Sequence, residues 1–417
     1  MNGPTPSAPD LRIRTTDQGR ALTLSGPRLG TDPVTLGTAG EVAIRTLHSQ
    51  FVQNLVRFRQ LVGDALPCTP ELAVAALAEL AEAGRVFLSQ VLESVSDLDR
   101  LVECFRRACP TWQGGPRRRP LQIQSYGRLN EHLPWELLPV FEHRHIPSAA
   151  TVADLDAACR PFGGFAALVE RRLPKRVPLR TILDTSRGLG VRFFYHARYD
   201  GAQAELGFLR AHAGPIRLRG PYPDGSCPTP SIGQQLRDPT LDDGGRPTDL
   251  ADHVVHFACH CDTLSPRPDE YAFHLADEDG NSTRVSVRQL LNELVLAAPW
   301  ADDDAQMPVV FVNACDSAAL DSQCGTGLLT PFDKNRNLAL IGTVASVPDQ
   351  LAAGFSQRVY AHLLGGGTLG AALFEARRFL LLRHANPLGI LYCLYGNADL
   401  RMLPVTRPRP TPTGGHP

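Results

Sequence analysis

Residues 309–318 read Val-Val-Phe-Val-Asn-Ala-Cys-Asp-Ser-Ala and indicate how this chain folds. Four consecutive apolar residues are typical of a strand buried on both faces, as in a parallel sheet that helices cover on both sides. The strand stops at Asn313, and Cys315 emerges beyond its carboxyl end, where open parallel sheets form their sites. A reactive partner for this thiol is therefore expected at the end of a neighbouring strand.

Residues 252–261 read Asp-His-Val-Val-His-Phe-Ala-Cys-His-Cys and supply such a partner. The apolar strand ends within this stretch, and His260 emerges beyond it. A single helical pattern at residues 287–298 separates this strand from the strand at residues 309–312. A cysteine nucleophile requires an imidazole nearby, either to lower its pKa or to take its proton. His260 and Cys315 are therefore the candidate catalytic pair.

The rest of the chain predicts an α/β fold with a mainly parallel sheet and helices on both faces, because strands and helices alternate. The amino-terminal region is expected to hold short strands and then helices at residues 41–66 and 70–109, the second broken near Gly84. The further strands are expected at residues 121–124, 191–195, 216–218, 254–259, 309–312, 338–341 and 389–394. The further helices are expected at residues 202–213, 287–298, 351–364 and 369–382, with loops at 220–247 and 262–269.

The composition excludes several classes of protein. The chain has 417 residues, of which 43% are hydrophobic, too many for a disordered chain. Its 42 basic residues balance 43 acidic ones, whereas a nucleic-acid or anionic-membrane binder carries a basic excess. No apolar run reaches the roughly 20 residues of a membrane span, and the first residues lack a signal-peptide pattern. We expect a cytoplasmic protein that binds neither nucleic acid nor membrane.

The 10 cysteines are scattered along the chain, a pattern typical of reduced and mostly buried thiols in a cytoplasmic protein. Cys324 is expected to be an idle surface thiol, with a second reactive thiol as the alternative. A thiol redox protein is a weaker hypothesis, because the chain contains no Cys-x-x-Cys pair.

A zinc site and a phosphate-binding loop are two other kinds of site for which the sequence has candidate residues. His256, Cys259, His260 and Cys261 are zinc-ligand types, but along a strand they point to opposite faces and do not converge. His256 and Cys259 are expected to be buried packing residues instead. Residues 365–367 are three glycines that lack the Lys-Ser/Thr of a phosphate loop. No metal and no cofactor are expected.

Taken in order and spacing, several short motifs resemble those of the CHAT family, caspase-like cysteine peptidases related to separases. His260 and Cys315 are 55 residues apart, close to the roughly 50 residues between His and Cys in caspase-type enzymes. The resemblance covers residues 121–403, and the motifs that carry it are residues 133–139, 256–261, 313–318, 341–343, 347–349 and 395–399, with Phe355, Tyr360, Gly370, Ala371 and Arg377.

The resemblance implies a role for each matching residue. His260 would be the catalytic imidazole and Cys315 the nucleophile, and the backbone N–H groups of Cys261 and Cys315 would face the oxyanion. Asp349 lies where separases place an acidic residue that meets a basic substrate residue, which implies cleavage after Arg or Lys. Asp316, beside the nucleophile, is a second candidate for the substrate pocket.

Asp349 also has a structural interpretation of equal weight. Its position suits the cap of a helix that begins near Gln350, because a carboxylate there accepts a hydrogen bond from an exposed backbone N–H. The two interpretations stay open from the sequence.

The resemblance also implies the organisation and function of the whole chain. Residues 1–117 would be a region of strands and helices, residues 118–404 a CHAT peptidase domain, and residues 405–417 a flexible Pro-rich tail. The implied function is a caspase-like endopeptidase that cleaves a specific protein partner in a regulated prokaryotic defence or cell-death pathway, under an upstream activator protein. Family members usually carry Gly after the catalytic His, where this chain has Cys261. The alternative is therefore a non-catalytic CHAT-type scaffold that signals by binding partner proteins.

Overall fold

The structure of the chain is a computed structural model. It describes residues 8–16, 20–63, 68–108, 121–127, 129, 132–141, 152–172, 181–223, 232–236, 239–241, 247–250, 252–263, 271–296, 308–313, 331–333 and 335–404.

A single sheet of 11 strands forms the centre of the described chain. In chain order the strands are β1 (Leu11–Thr15), β2 (Ala21–Ser25), β3 (Val34–Gly37), β4 (Leu121–Tyr126), β5 (Ala167–Arg172), β6 (Ile182–Asp184), β7 (Leu189–Tyr195), β8 (Ile216–Tyr222), β9 (Pro239–Leu241), β10 (Pro247–Leu250), β11 (Val254–Ala258), β12 (His260–Thr263), β13 (Tyr271–Ala276), β14 (Ser282–Ser286), β15 (Val309–Val312), β16 (Ala339–Thr343), β17 (Tyr392–Gly396) and β18 (Arg401–Leu403). The order across the sheet is β3-β2-β1-β4-β5-β17-β16-β15-β11-β7-β8.

Most neighbours in this sheet run parallel, including the four strands β15, β11, β7 and β8 at one end of the strand order. The antiparallel pairs are β1 with β2, β2 with β3, and β16 with β17. Every residue of β7, β11 and β15 is buried, as expected for strands covered on both faces. The predicted α/β fold class is confirmed.

Ten helices of the described chain accompany the sheet. They are α1 (Glu41–Gly63), α2 (Pro70–Val91), α3 (Val95–Ala108), α4 (Val152–Cys159), α5 (Gly163–Ala166), α6 (Asp200–Ala211), α7 (Ile232–Leu236), α8 (Val287–Leu296), α9 (Asp349–Leu364) and α10 (Leu369–His384). Helix α9 packs between α6 and α10, and α1 packs on α2. None of these helices has the length and apolar character that crossing a membrane requires.

The amino-terminal region is helical as predicted, but the predicted break near Gly84 is wrong. Helix α2 continues through Gly84, and the chain leaves the helical conformation only between Val91 and Val95. A Cβ atom at Gly84 would lie 2.6 Å from Cδ of Pro139. The glycine therefore allows the helix to approach the segment that follows β4.

That segment, residues 132–141, lies inside the protein. Trp135 is fully buried, and its indole N–H donates to Ser125 Oγ over 3.1 Å. Glu136 pairs with Arg171 of β5, and neither side chain is exposed. Because β1 pairs with β4, one sheet spans the predicted division at residues 117 and 118, which stays a prediction.

Two predicted loops contain regular structure. Part of the stretch 220–247 forms the end of β8, helix α7 and strand β9. The stretch 262–269 begins as strand β12, which joins β13 and β14 in a small antiparallel sheet. Residues 264–270 and the tail at 405–417 lie outside the described residues.

Candidate active site

Strands β11 and β15 are parallel neighbours in the register Phe257↔Val312. The backbone N–H of Asn313 donates to the Phe257 carbonyl over 2.8 Å and extends the pairing by one residue. His260 follows Phe257 by three positions, and Cys315 follows Val312 by three positions. The two strand ends therefore lie side by side at the carboxyl edge of the sheet, as the sequence predicts. Cys315 and Asp316 themselves lie outside the described residues.

His260 is half-buried at the start of β12, opposite His274 of β13. The two imidazole rings are 6.2 Å apart at their centroids and lie edge to face. The ring of Tyr199 lies 5.9 Å from the His260 ring. The predicted catalytic imidazole is thus enclosed by two aromatic neighbours and keeps part of its surface open to solvent.

The end of β7 contributes further residues to this edge. The His196 backbone N–H donates to the Ala258 carbonyl over 3.0 Å, and its ring lies 4.4 Å from that of Tyr199. Burial lowers the pKa of His196, and the nearby Arg198 and His260 lower it further. His196 and Tyr199 are not among the residues predicted for the site. Their position just after the buried strand 189–195 was the signal that could have found them.

Cys261, the residue after His260, has its side chain inside the protein. The side chain is only 1% exposed and belongs to the hydrophobic core. On β12, Cys261 is opposite Phe273 of β13. The thiol therefore does not protrude into an open cleft, and the predicted role of the Cys261 N–H toward an oxyanion stays a prediction.

Asp349 is the first residue of α9, so Pro348 and not Asp349 stands at the cap position of this helix. Helix α9 begins at Asp349 after Pro348, whose side chain makes no capping hydrogen bond. The Asp349 carboxylate accepts a hydrogen bond from the backbone N–H of Gly201 over 2.5 Å, at the start of α6. An anion at this position is favourable because a helix amino terminus carries partial positive charge.

The start of α6 contacts both Asp349 and the surroundings of His260. Tyr199 precedes the helix and faces His260, and Gly201 binds Asp349. A groove of about 760 Å³ borders the same helix start, with Asp200, Gly201, Gln350 and Arg358 among its lining residues. His260 does not line this groove. The predicted substrate role of Asp349 stays a prediction.

The predicted packing residues are buried. Cys259 is 2% exposed and His256 is fully buried, although His256 also contacts a carboxylate. The six cysteines of the described chain are all buried thiols, as expected: Cys68, Cys104, Cys159, Cys259, Cys261 and Cys393. Within the described residues, no group of three His, Cys, Asp or Glu side chains is arranged to hold a metal ion. Cys324 lies outside the described residues.

Among known proteins, the chain is similar to a protein of Vitiosangium sp. (strain GDMCC 1.1324) named "Probable protease", with 30% identity over 162 residues. The match covers 36% of this chain and 19% of that protein, so the chain spans about a fifth of its relative's length. Two crystal structures of the Saccharomyces cerevisiae separase–securin complex are also similar, with TM-scores of 0.43 and 0.37 and 11% identity. They cover 94% and 88% of this chain but only 30% and 23% of the matched chains.

The family comparison concerns the part of the chain that contains the two predicted site strands. Residues 231–389 match the model of the CHAT domain. This range includes β11, β15 and the start of α9, together with His260, Cys315 and Asp349. Residues 231–389 are therefore similar to the CHAT domain.

Proposed function

We propose that the chain is a caspase-like cysteine endopeptidase in which Cys315 is the nucleophile and His260 its acid–base partner. The observation that carries the proposal is the register of β11 and β15. His260 and Cys315 each lie three residues after the last position at which their two strands pair. Parallel neighbouring strands end at the same edge of the sheet. This arrangement supports a short distance between an imidazole and a thiol.

In the proposed reaction, the Cys315 proton passes to His260, and the thiolate attacks the peptide carbonyl carbon. The negative charge moves to the carbonyl oxygen, which the backbone N–H groups of Cys315 and Cys261 stabilise. The imidazolium then protonates the departing amine as the C–N bond breaks, which leaves a thioester on Cys315. Water, deprotonated by His260, hydrolyses the thioester and restores the thiol.

The proposed substrate is a specific protein partner, cut after Arg or Lys. Asp349 supports this preference, because a carboxylate accepts charge-assisted hydrogen bonds from a guanidinium or an ammonium group. Asp316 is the second candidate for the same pocket. A location in the cytoplasm, an upstream activator and a role in regulated defence or cell death complete the proposal.

The test is the incubation of the purified chain with proteins encoded by neighbouring genes, followed by mapping of new amino termini. We expect a defined new terminus after Arg or Lys with the wild-type chain. No such terminus should form with Cys315→Ala or His260→Ala. Retained cleavage by Cys315→Ala would contradict the proposal.

A non-catalytic scaffold is the second candidate, and the side chain at Cys261 in place of Gly is the observation that favours it. A peptidyl acyloxymethyl ketone ending in Arg distinguishes the two functions. A peptidase forms a selective adduct at Cys315, whereas a scaffold shows no preference for this thiol over the other cysteines.

A further inference from the structure

The residue at the exit of β15, Asn313, is held from several sides. Its side-chain amide donates to Glu205 Oε1 over 2.8 Å and to the Ala352 carbonyl over 2.9 Å. Its amide oxygen accepts from the Tyr392 hydroxyl over 2.5 Å. Asn313 is only 2% exposed. Both amide hydrogens and the amide oxygen are therefore used, and the position of this backbone is fixed two residues before Cys315.

The carboxylate of Glu205 contacts both of the strands that lead to the predicted dyad. Glu205 belongs to α6 and is 3% exposed. Its Oε1 binds Asn313, at the end of β15, and its Oε2 lies 2.8 Å from Nε2 of His256, on β11. His256 precedes His260 by four residues, and its Nδ1 lies 2.9 Å from the Tyr360 hydroxyl oxygen.

The protonation of Tyr360 helps to define this network. Burial, and then the nearby Glu205, raise the pKa of the Tyr360 phenol well above its usual value, so the phenol keeps its proton. The groups therefore form a continuous buried path from Tyr360 through His256 and Glu205 to Asn313 and Tyr392.

An apolar contact between α6 and the two strands would stabilise the fold at a lower desolvation cost. A buried carboxylate is costly unless its partners are placed well, and replacing such groups by apolar ones is often neutral or stabilising. What a buried polar network adds is a preferred arrangement, since displacing either strand moves a buried group away from its partner. The network thus suits a place where the relative position of two strands matters.

We infer that Glu205 is a positioning residue for the dyad: through His256 and Asn313 it sets the relative position of the two strand ends that carry His260 and Cys315. The inference rests on the proposed function. It assigns no contact between Glu205 and the substrate.

The test uses alkylation of Cys315 by iodoacetamide at pH 7, followed by mass spectrometry of the peptide that contains Cys315. Glu205→Asp keeps the charge but is one methylene shorter, so it cannot reach both strands, and we expect at least a fivefold slower alkylation. Glu205→Gln keeps the length and an acceptor oxygen for Asn313, and we expect a rate within twofold of wild type. Asn313→Ala is expected to be slower, like Glu205→Asp.

The matched control is Asn386→Ala. Asn386 is also fully buried and makes two side-chain hydrogen bonds of 2.9 Å, with the Val62 carbonyl and the Leu388 N–H. It belongs to neither strand, so its loss should lower the melting temperature without changing Cys315 alkylation more than twofold. If Asn313→Ala does not fold, the alkylation rates of Glu205→Asp and Glu205→Gln decide whether Glu205 positions the dyad.

The outcomes separate the inference from the function on which it rests. If His260→Ala leaves Cys315 alkylation unchanged, the proposed dyad itself is overturned. If His260→Ala slows alkylation but Glu205→Asp behaves like Asn386→Ala, only the positioning role is overturned. Slow alkylation in Glu205→Asp with normal alkylation in Glu205→Gln supports the inference.

Discussion

A methyl group at Gly201 tests the contact between the start of α6 and Asp349. A Cβ atom there would lie 2.2 Å from Oδ1 and 2.4 Å from the backbone oxygen of Asp349. The variant Gly201→Ala must therefore move α9 away from α6 by roughly 1 Å. Adding a methyl group to a well-packed contact typically destabilises the folded state by about 1–3 kcal/mol. The move also weakens the hydrogen bond from the Gly201 N–H to the Asp349 carboxylate. A hydrogen bond to a charged group contributes about 1.5–3 kcal/mol to stability. Allowing about 1 kcal/mol for the better helix propensity of Ala, we expect a net destabilisation of about 2–4 kcal/mol.

The same helix offers a matched control with the opposite sign. Gly207 is exposed in the middle of α6, and a Cβ atom there meets nothing within 4 Å. Gly207→Ala is expected to stabilise the chain by about 0.5–1 kcal/mol. Urea unfolding followed by far-ultraviolet circular dichroism measures both variants. Equal midpoints for Gly201→Ala and Gly207→Ala would refute the reasoning.

A double variant sharpens this prediction. Adding Asp349→Ala to Gly201→Ala removes the carboxylate but leaves the backbone oxygen of Asp349 at 2.4 Å from the new methyl group. We therefore expect only partial recovery of the urea midpoint, as a non-additive effect between contacting residues. Full recovery would show that the backbone contact carries no cost.

Three further predictions concern buried charge and the substrate pocket. Glu136→Ala should destabilise the chain by about 3–5 kcal/mol in urea unfolding, because it removes the carboxylate beside the fully buried Arg171 guanidinium; a loss below 1 kcal/mol would contradict this. Burial, and to a lesser extent the nearby His132, lowers the pKa of His48 to about 3. Burial, and to a lesser extent the nearby Arg45, lowers the pKa of His132 to about 4. Below about pH 6.5 the unfolded chain therefore binds protons that the folded chain does not, and roughly 2 kcal/mol per histidine is lost by pH 5. Replacing both with Leu should flatten the fall of the urea midpoint between pH 6.5 and 5, and an unchanged slope would contradict it. Asp349→Asn should slow labelling by an Arg-ending peptidyl ketone at least tenfold and leave a Leu-ending one unchanged, whereas equal slowing would indicate a structural effect.

The sequence predicts those parts of the fold in which local pattern and burial agree. The all-apolar run at residues 309–312 is strand β15, and the helix predicted at residues 351–364 begins two residues earlier, at Asp349. Strand β5 was missed because Glu170, Arg171 and Arg172 do not resemble a buried strand. The burial of Glu170 and Arg171 depends on partners distant in sequence, Gln122 for Glu170 and Glu136 for Arg171.

In the candidate site, too, the sequence predicts the features that depend on local pattern but not those that depend on contacts between distant residues. The side-by-side ends of β11 and β15 could be predicted, since parallel order and a single crossover helix follow from local patterns. His274 could not, because it reaches His260 only through the pairing of β12 with β13. Glu205 is a charged residue in a helix, which normally indicates a solvent-exposed face, and only the packing of α6 on the sheet buries it.

The most direct test of the proposed dyad is the pH dependence of iodoacetamide alkylation at Cys315 in the wild-type chain and in His260→Ala. An ordinary thiol has a pKa of about 8.5 and reacts slowly at pH 6.5, whereas an imidazole partner keeps the thiolate populated there. We expect alkylation at pH 6.5 to be at least tenfold faster in the wild type than in His260→Ala, with His212→Ala as an unaffected histidine control. Identical profiles in the wild type and His260→Ala, both with an ordinary thiol pKa, would contradict the dyad.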